Sequence, residues 1–250
     1  MLIFLNEVLM SEIISVILAA GRGSRLSIDD LPKPMVPIAK RPLMQKAVES
    51  LYEMGFDTSE IKAVIGYKGK VIQNYFGGDL EYIFQKELNG NAGALEEAFL
   101  DIGEIQNRHI LTIQGDDADQ TTPENLRELI YFHLSRRADV TILTVNKPDL
   151  DVHLMEYIYD SDGRVTKMIP RRSIDSNGRY VAGIYLFSGL FLEKFLPILK
   201  DETPEGKELD ISSLIKLAVE ADQRVFQLCS NKDYISVNTP RGLQRLRTVF

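Results

Sequence analysis

The side chains best suited to chemistry are concentrated in Val16–Pro34, which reads VILAAGRGSRLSIDDLPKP. An apolar run beginning at Ile13 breaks at Ala19-Ala20-Gly21-Arg22-Gly23, after which come Arg25 and then Lys33, the latter held in Pro32-Lys33-Pro34. Glycines just past a strand let the backbone approach an anion with several N–H groups pointing the same way. Arg25 offers phosphate oxygens a planar fork of donors, and Lys33 a compact point charge. Small Ala19 and Ala20 leave room for a flat group beside the loop. Between Ala20 and Arg41 the cations Arg22, Arg25, Lys33, Lys40 and Arg41 outnumber Asp29 and Asp30, although the formal charge of the chain is −7. The pattern predicts a phosphate site. A second anchor is Gly115-Asp116-Asp117, which ends the apolar run from Ile110. A carboxylate at the carboxyl end of a central parallel strand lies where open α/β sheets bind ligands, and it can share Mg²⁺ with phosphate oxygens.

Two common phosphate motifs do not fit. The dinucleotide fingerprint needs Gly or Ala where Leu26 stands, which argues against an NAD-binding domain, and no Gly-Lys-Ser/Thr follows at P-loop spacing. The stretch instead resembles the signature of the sugar-1-phosphate nucleotidylyltransferases, Gly-x-Gly-Thr-Arg-Leu followed by Pro-Lys-Pro. Gly21, Gly23, Arg25, Leu26 and Pro32-Lys33-Pro34-Met35 fall in order, and Ser24 replaces the usual Thr while keeping a hydroxyl.

The resemblance implies a magnesium-dependent transfer from a nucleoside triphosphate to a sugar 1-phosphate, a hexose in most relatives, with release of pyrophosphate. In that scheme Ala19, Ala20, Gly21, Gly23 and Ser24 line the nucleotide, Arg25 stabilises the departing pyrophosphate, and Lys33 neutralises charge near the α-phosphate. Gln85, Gly90 and Asn91 match the family's base-reading loop, with Asn91 where Thr is usual and Gln85 able to donate and accept at once. Asp116 and Asn238 are the implied Mg²⁺ ligands, and Asn at that second position is found in the N-acetylglucosamine-1-phosphate uridylyltransferases. Gly183, in Val181–Phe187, matches a strand that approaches the sugar. Relatives carry Glu-Lys-Pro where this chain has Pro170-Arg171-Arg172. Arg171 is then the candidate for the sugar phosphate, while Pro170 has no side chain that can bond a sugar hydroxyl. The base and the sugar stay open. So do two rival readings: cytidylyl transfer to phosphocholine or an inositol phosphate, and a regulatory subunit that senses a nucleotide sugar without turning it over.

These residues need a scaffold that carries them to one edge. Ile13–Leu18, Ile61–Tyr67, Glu81–Gln85 and Ile110–Gln114 read as strands, alternating with helical patterns over Leu43–Met54, Lys68–Tyr75 and the stretch after Asn91. Pro42 suits the first turn of the first helix and Gly55 its stop. Thr122-Pro123 caps a further helix, Ala138–Val145 is a strand, and His153–Tyr159 with Arg164–Ile169 form a hairpin across Asp160–Gly163. Helices over 190–199 and 211–221, a strand from Arg224 and a last helix after Thr239-Pro240 complete the chain. The alternation predicts a three-layer α/β/α architecture with a mostly parallel, Rossmann-like mixed sheet, which the resemblance identifies with the nucleotide-diphospho-sugar transferase fold. We expect one nucleotidyltransferase domain, with residues 13–146 as its nucleotide half and 147–250 as its acceptor half. No left-handed β-helix is expected after it.

Composition narrows the remaining possibilities. The 250 residues are 44% apolar and 26% charged, ordinary for a soluble globule. The acidic balance argues against nucleic acid as a partner. MLIFLNEVLM at the start lacks a basic n-region and a cleavage site, and no run is long enough to span a membrane, so a cytoplasmic protein is expected, with Met10 as its natural start. The expected partners are an NTP and a sugar 1-phosphate, without nucleic acid or membrane and with homo-oligomerisation left open. Cys229 follows an apolar run and is expected to pack inside, and His109, His133 and His153 show no metal-ligand spacing.

Overall fold

The computed structural model describes residues 11–23, 31–103, 105, 107–116, 120–146, 154–171, 179–230 and 240–249. At its centre is β1 (Ile13–Ala19), buried at every position. A continuous, β-branched apolar run of this kind is what a strand covered on both faces requires. It pairs in parallel on one side with β4 (Ile61–Ile65) and on the other with β6 (His109–Gln114), Ser15 standing opposite both Ile61 and Leu111. β5 (Glu81–Phe84) extends the sheet beyond β4. Beyond β6 come β10 (Arg179–Ser188), β7 (Val140–Asn146) and β11 (Val225–Ser230), giving seven strands in the order β11-β7-β10-β6-β1-β4-β5. Only β10 runs against its neighbours, so the sheet is mixed but mostly parallel, as expected.

Alternate residues of each strand feed opposite faces. Ile13, Ile17 and Ala19 of β1 join α1 (Gln45–Met54), α2 (Gly69–Phe76) and α4 (Pro123–Arg136) on one face. Val16 and Leu18 join α3 (Asn91–Ile102), α5 (Gly189–Glu202) and α6 (Ile211–Glu220) on the other. The result is the expected helix–sheet–helix sandwich. None of the helices among the described residues is long and apolar enough to cross a membrane.

The first helix starts later than the periodicity suggests. Pro42 is not in its first turn but in β3 (Arg41–Pro42), which pairs with β2 (Pro37–Ile38) around Ala39 and Lys40, both at positive φ. The N–H groups of Leu43 and Met44 bond back to Val36 and Pro34, which holds the chain out of a helix until Gln45. Leu243 and Leu246 of α7 (Pro240–Val249) close over Val36, Ile38 and Leu43 as a separate small core. The predicted hairpin is present as β8 (Leu154–Tyr159) and β9 (Val165–Arg171), and its turn docks on β11 through a bond from Gln227 N–H to the Gly163 carbonyl, 2.9 Å. Cys229 is half-buried rather than interior, because β11 is an edge strand.

Candidate active site

The strand order reverses at β1 and β6: the chain builds outward from β1 through β4 and β5, then returns to lay β6 on the other side. Ligands of open α/β sheets bind outside the carboxyl ends at such a point. Here those ends are tied together. Gly115 N–H donates to the Leu18 carbonyl at 3.0 Å, and Tyr67 N–H to the Ala20 carbonyl at 3.0 Å. Ala19 and Ala20 are buried, and an added Cβ at Gly21 would meet nothing within 4 Å, so the backbone there is open to an incoming group. Gly23 differs: its φ is +64 and a Cβ would stand 2.7 Å from Lys33 Cβ. Handedness and lack of space both require glycine there.

Lys33 opens a short 3-10 turn, Lys33–Met35, behind Pro32. Its stem is buried and its ammonium ion-pairs with Asp116 Oδ2, the side chains being 10% and 22% exposed. Lys33 from the loop after β1 and Asp116 from the end of β6 thus meet at the switch point. A cation and a carboxylate at the mouth of adjacent parallel strands can hold phosphate oxygens and a hard metal ion. Ser24, Arg25 and Asn238 lie outside the described residues.

The loop from Gln85 to Asn91 forms the next side of the site. Gln85 is buried and donates both hydrogens of its amide inward, to Asn89 Oδ1 at 2.8 Å and to the Gly90 carbonyl at 3.0 Å. The side chain therefore does not donate and accept toward a ligand at once, as the sequence suggests; only its oxygen remains to offer. Gly90, at φ +107, lies against Leu209, whose carbonyl oxygen would be 2.2 Å from a Cβ. Asn91 opens α3 and uses its Oδ1 to accept Ile211 N–H, 2.8 Å, at the start of α6. Its oxygen is committed to joining the starts of the two helices.

In the second half, the backbone of Arg171 pairs with Leu154 at the far end of the β8–β9 hairpin. Gly183 has φ +69 and lies in a register shift of β10, next to Ile184, which pairs with Ile113 of β6. This brings Gly183 to the same end of β6 as Asp116. Sequence reasoning missed Tyr67 and Lys68. The Arg22 guanidinium and the Lys68 ammonium lie 5.7 and 5.4 Å from the centre of the Tyr67 ring, gathering positive charge between the glycine loop and the Gln85 loop. Nothing in the local spacing signals this, since Tyr67 arrives through the β1–β4 pairing.

Comparisons with known proteins bear on the family and the fold. Residues 14–234 match the family model described as Nucleotidyl transferase. The chain is 24% identical over 254 residues to the "Bifunctional protein GlmU" of Wigglesworthia glossinidia brevipalpis, which covers 98% of this chain and 53% of that protein. It is 28% identical over 215 residues to the protein of the same name from Streptococcus agalactiae, covering 84% and 45%. The chain thus spans about half the length of these curated relatives. A 2.76 Å crystal structure from Bacillus anthracis, provisionally assigned as a glucose-1-phosphate thymidylyltransferase in complex with a sucrose, shares the fold. Its TM-score is 0.74 at 19% identity, covering 95% of this chain and 94% of that one.

Proposed function

The chain belongs to the nucleotidyl transferase family, and we propose that it transfers a nucleoside monophosphate from an NTP to a sugar 1-phosphate, giving an NDP-sugar and pyrophosphate. The observation that carries this reading is the Lys33–Asp116 pair at the β1/β6 switch point, beside the Gly21–Gly23 loop. It brings to one place a cation suited to phosphate oxygens, a carboxylate suited to a metal ion and, beside them, a stretch of backbone with room for an incoming group. Residues 13–146 bind the nucleotide and 147–250 cover the acceptor.

In the reaction an oxygen of the sugar phosphate attacks the α-phosphorus in line, the bond to the β-phosphate breaks, and pyrophosphate leaves with the electron pair. Such transfers need positioning and charge neutralisation rather than a covalent nucleophile. Lys33 faces the α-phosphate, Arg25 meets the departing pyrophosphate, and Gly21, Gly23 and Ser24 cradle the chain of phosphates. Ala19 and Ala20 flank the nucleoside, Gln85 and Gly90 meet the base edge, and Asn91 holds that loop in place. Arg171 and Gly183 face the acceptor.

The donor set suits Mg²⁺. Asp116 is partly exposed and bonds Lys33 through Oδ2, which leaves Oδ1 as a hard oxygen ligand, and Mg²⁺ commonly takes one or two protein carboxylates plus phosphate oxygens. Asp116 and Asn238 would hold it, and the bound ion would offset the charge of the phosphates.

Pyrophosphate release, measured for five NTPs against several sugar 1-phosphates and phosphocholine, with Mg²⁺ and with EDTA, tests the reading. A magnesium-dependent signal with one sugar 1-phosphate is expected, and Arg25→Ala and Asp116→Ala each lower it at least ~100-fold. A signal with phosphocholine alone would replace the sugar by another phosphorylated acceptor. Nucleotide binding without any turnover would replace transfer by sensing.

A further inference from the structure

The orientation of the Gln85 amide is set by a main-chain group. Because the Gly90 carbonyl can only accept, the atom 3.0 Å from it is the amide nitrogen. The second hydrogen of that nitrogen goes to Asn89 Oδ1 at 2.8 Å. Asn89 is itself fixed: its N–H bonds the Glu87 carbonyl at 2.8 Å and its carbonyl accepts Leu209 N–H at 2.6 Å. Gln85 N–H in turn bonds the Ile65 carbonyl at 2.9 Å, continuing the β4–β5 ladder, so the side chain starts from a fixed backbone. One further residue makes the arrangement possible. A Cβ at Gly93, in the first turn of α3, would lie 1.9 Å from Asn89 Oδ1 and 2.5 Å from its Cγ. The missing side chain of Gly93 is the space the Asn89 amide occupies.

We infer that Asn89, seated over Gly93, is a positioning residue for base selection: with the Gly90 carbonyl it consumes both amide hydrogens of Gln85, so that Gln85 shows the nucleobase an acceptor only. The base chosen is then one that turns an N–H toward Gln85 Oε1. A base presenting a ring nitrogen or a carbonyl there meets a second acceptor and is rejected, because a buried acceptor without a donor is penalised. The inference rests on Gln85 being the base-reading side chain of the proposed reaction. Asn89 acts through Gln85 and touches no substrate.

The test measures kcat and KM for ATP, GTP, CTP, UTP and dTTP in the wild type and in Asn89→Leu, Asn89→Asp and Gly93→Ala. Removing one tether in Asn89→Leu lets the amide swing. KM for the preferred NTP is expected to rise about tenfold and its margin over the next base to shrink by a similar factor, with kcat within about twofold. Asn89→Asp keeps an acceptor oxygen at the same place and is expected to restore both. Gly93→Ala leaves Asn89 in the chain but displaces its amide, and alanine favours the helix. It is therefore expected to reproduce the Asn89→Leu pattern, and the double variant to be no worse than either single one. Unchanged KM and preference in Asn89→Leu and Gly93→Ala, or an equal fall of kcat for all five nucleotides, overturns the inference while leaving the proposed reaction standing. A wild type that neither binds nor turns over any of the five overturns the reaction and this inference with it.

Discussion

The stem of Lys33 lies over Gly23 so closely that a Cβ at residue 23 would stand 2.7 Å from Lys33 Cβ, at a position where the backbone already turns through φ +64. Gly23 and the lysine of the following turn are one packing unit. Gly23→Ala is expected to push Lys33 off Asp116 and to strain the loop by about 1–2 kcal/mol. We expect pyrophosphate release to fall at least ~10-fold with little change in the circular dichroism spectrum. Unaltered turnover would show that Lys33 tolerates displacement.

The Lys33–Asp116 pair is mostly buried, so its two members do not contribute independently. Lys33→Met leaves Asp116 without its counter-ion and is expected to cost about 1–3 kcal/mol in urea unfolding. Asp116→Asn in the same chain removes the stranded charge and should recover much of that loss. Additive losses in the double-mutant cycle would mean that the two groups are not coupled.

Asn91 ties the start of α3 to the start of α6 by accepting Ile211 N–H. Asn91→Ala removes the acceptor of that N–H and is expected to lower stability by about 1–3 kcal/mol. For a chain of this size the corresponding fall in Tm is a few degrees, read by calorimetry. A variant with unchanged Tm would place the joint between the two helices elsewhere.

His133 is fully buried, bonded to His109 at 3.0 Å and to the Thr141 hydroxyl at 2.8 Å. Burial holds its pKa well below the usual imidazole range, with His109 and then Arg224 adding to the shift. Burial lowers His109 as well, opposed by Glu12. The unfolded imidazoles take protons near pH 6.5 and the folded ones only at lower pH, so this stabilisation is complete above the unfolded value and is lost as pH falls from there toward the folded values. Each histidine is expected to steepen the loss by up to about 1.4 kcal/mol per pH unit. Urea unfolding at pH 7.5 and 5.5 should show a smaller pH-dependent loss for His133→Gln than for the wild type. Equal losses would remove His133 as the cause.

The sheet was legible because its signals are local. Ile13–Ala19 and Ile61–Ile65 are too apolar and β-branched for anything but buried strands, and alternation with amphipathic helices implies parallel pairing. The start of α1 was not, since Pro42 suits a helix start as well as a short strand, and the choice is made by the bonds of Leu43 and Met44 to residues before the turn. In the site, Lys33 and Asp116 each stood out by type and by position after a glycine loop or a strand. Their contact spans 83 residues and depends on β1 and β6 lying side by side. Gln85 misled for a related reason: its capacity to donate and accept is intrinsic, whereas the use made of its hydrogens is decided by Asn89, which needs Gly93 to be bare.

The small core that joins Val36, Ile38 and Leu43 to Leu243 and Leu246 spans about two hundred residues of sequence, and this has a consequence for synthesis on the ribosome. At about 5–20 residues per second, the segment next to Lys33 waits on the order of ten to forty seconds for its cover. Until then Val36, Ile38 and Leu43 present a small oily surface, open to chaperones or to other nascent chains. A core whose first three members are encoded near the beginning is thus closed only when nearly the whole chain has been made.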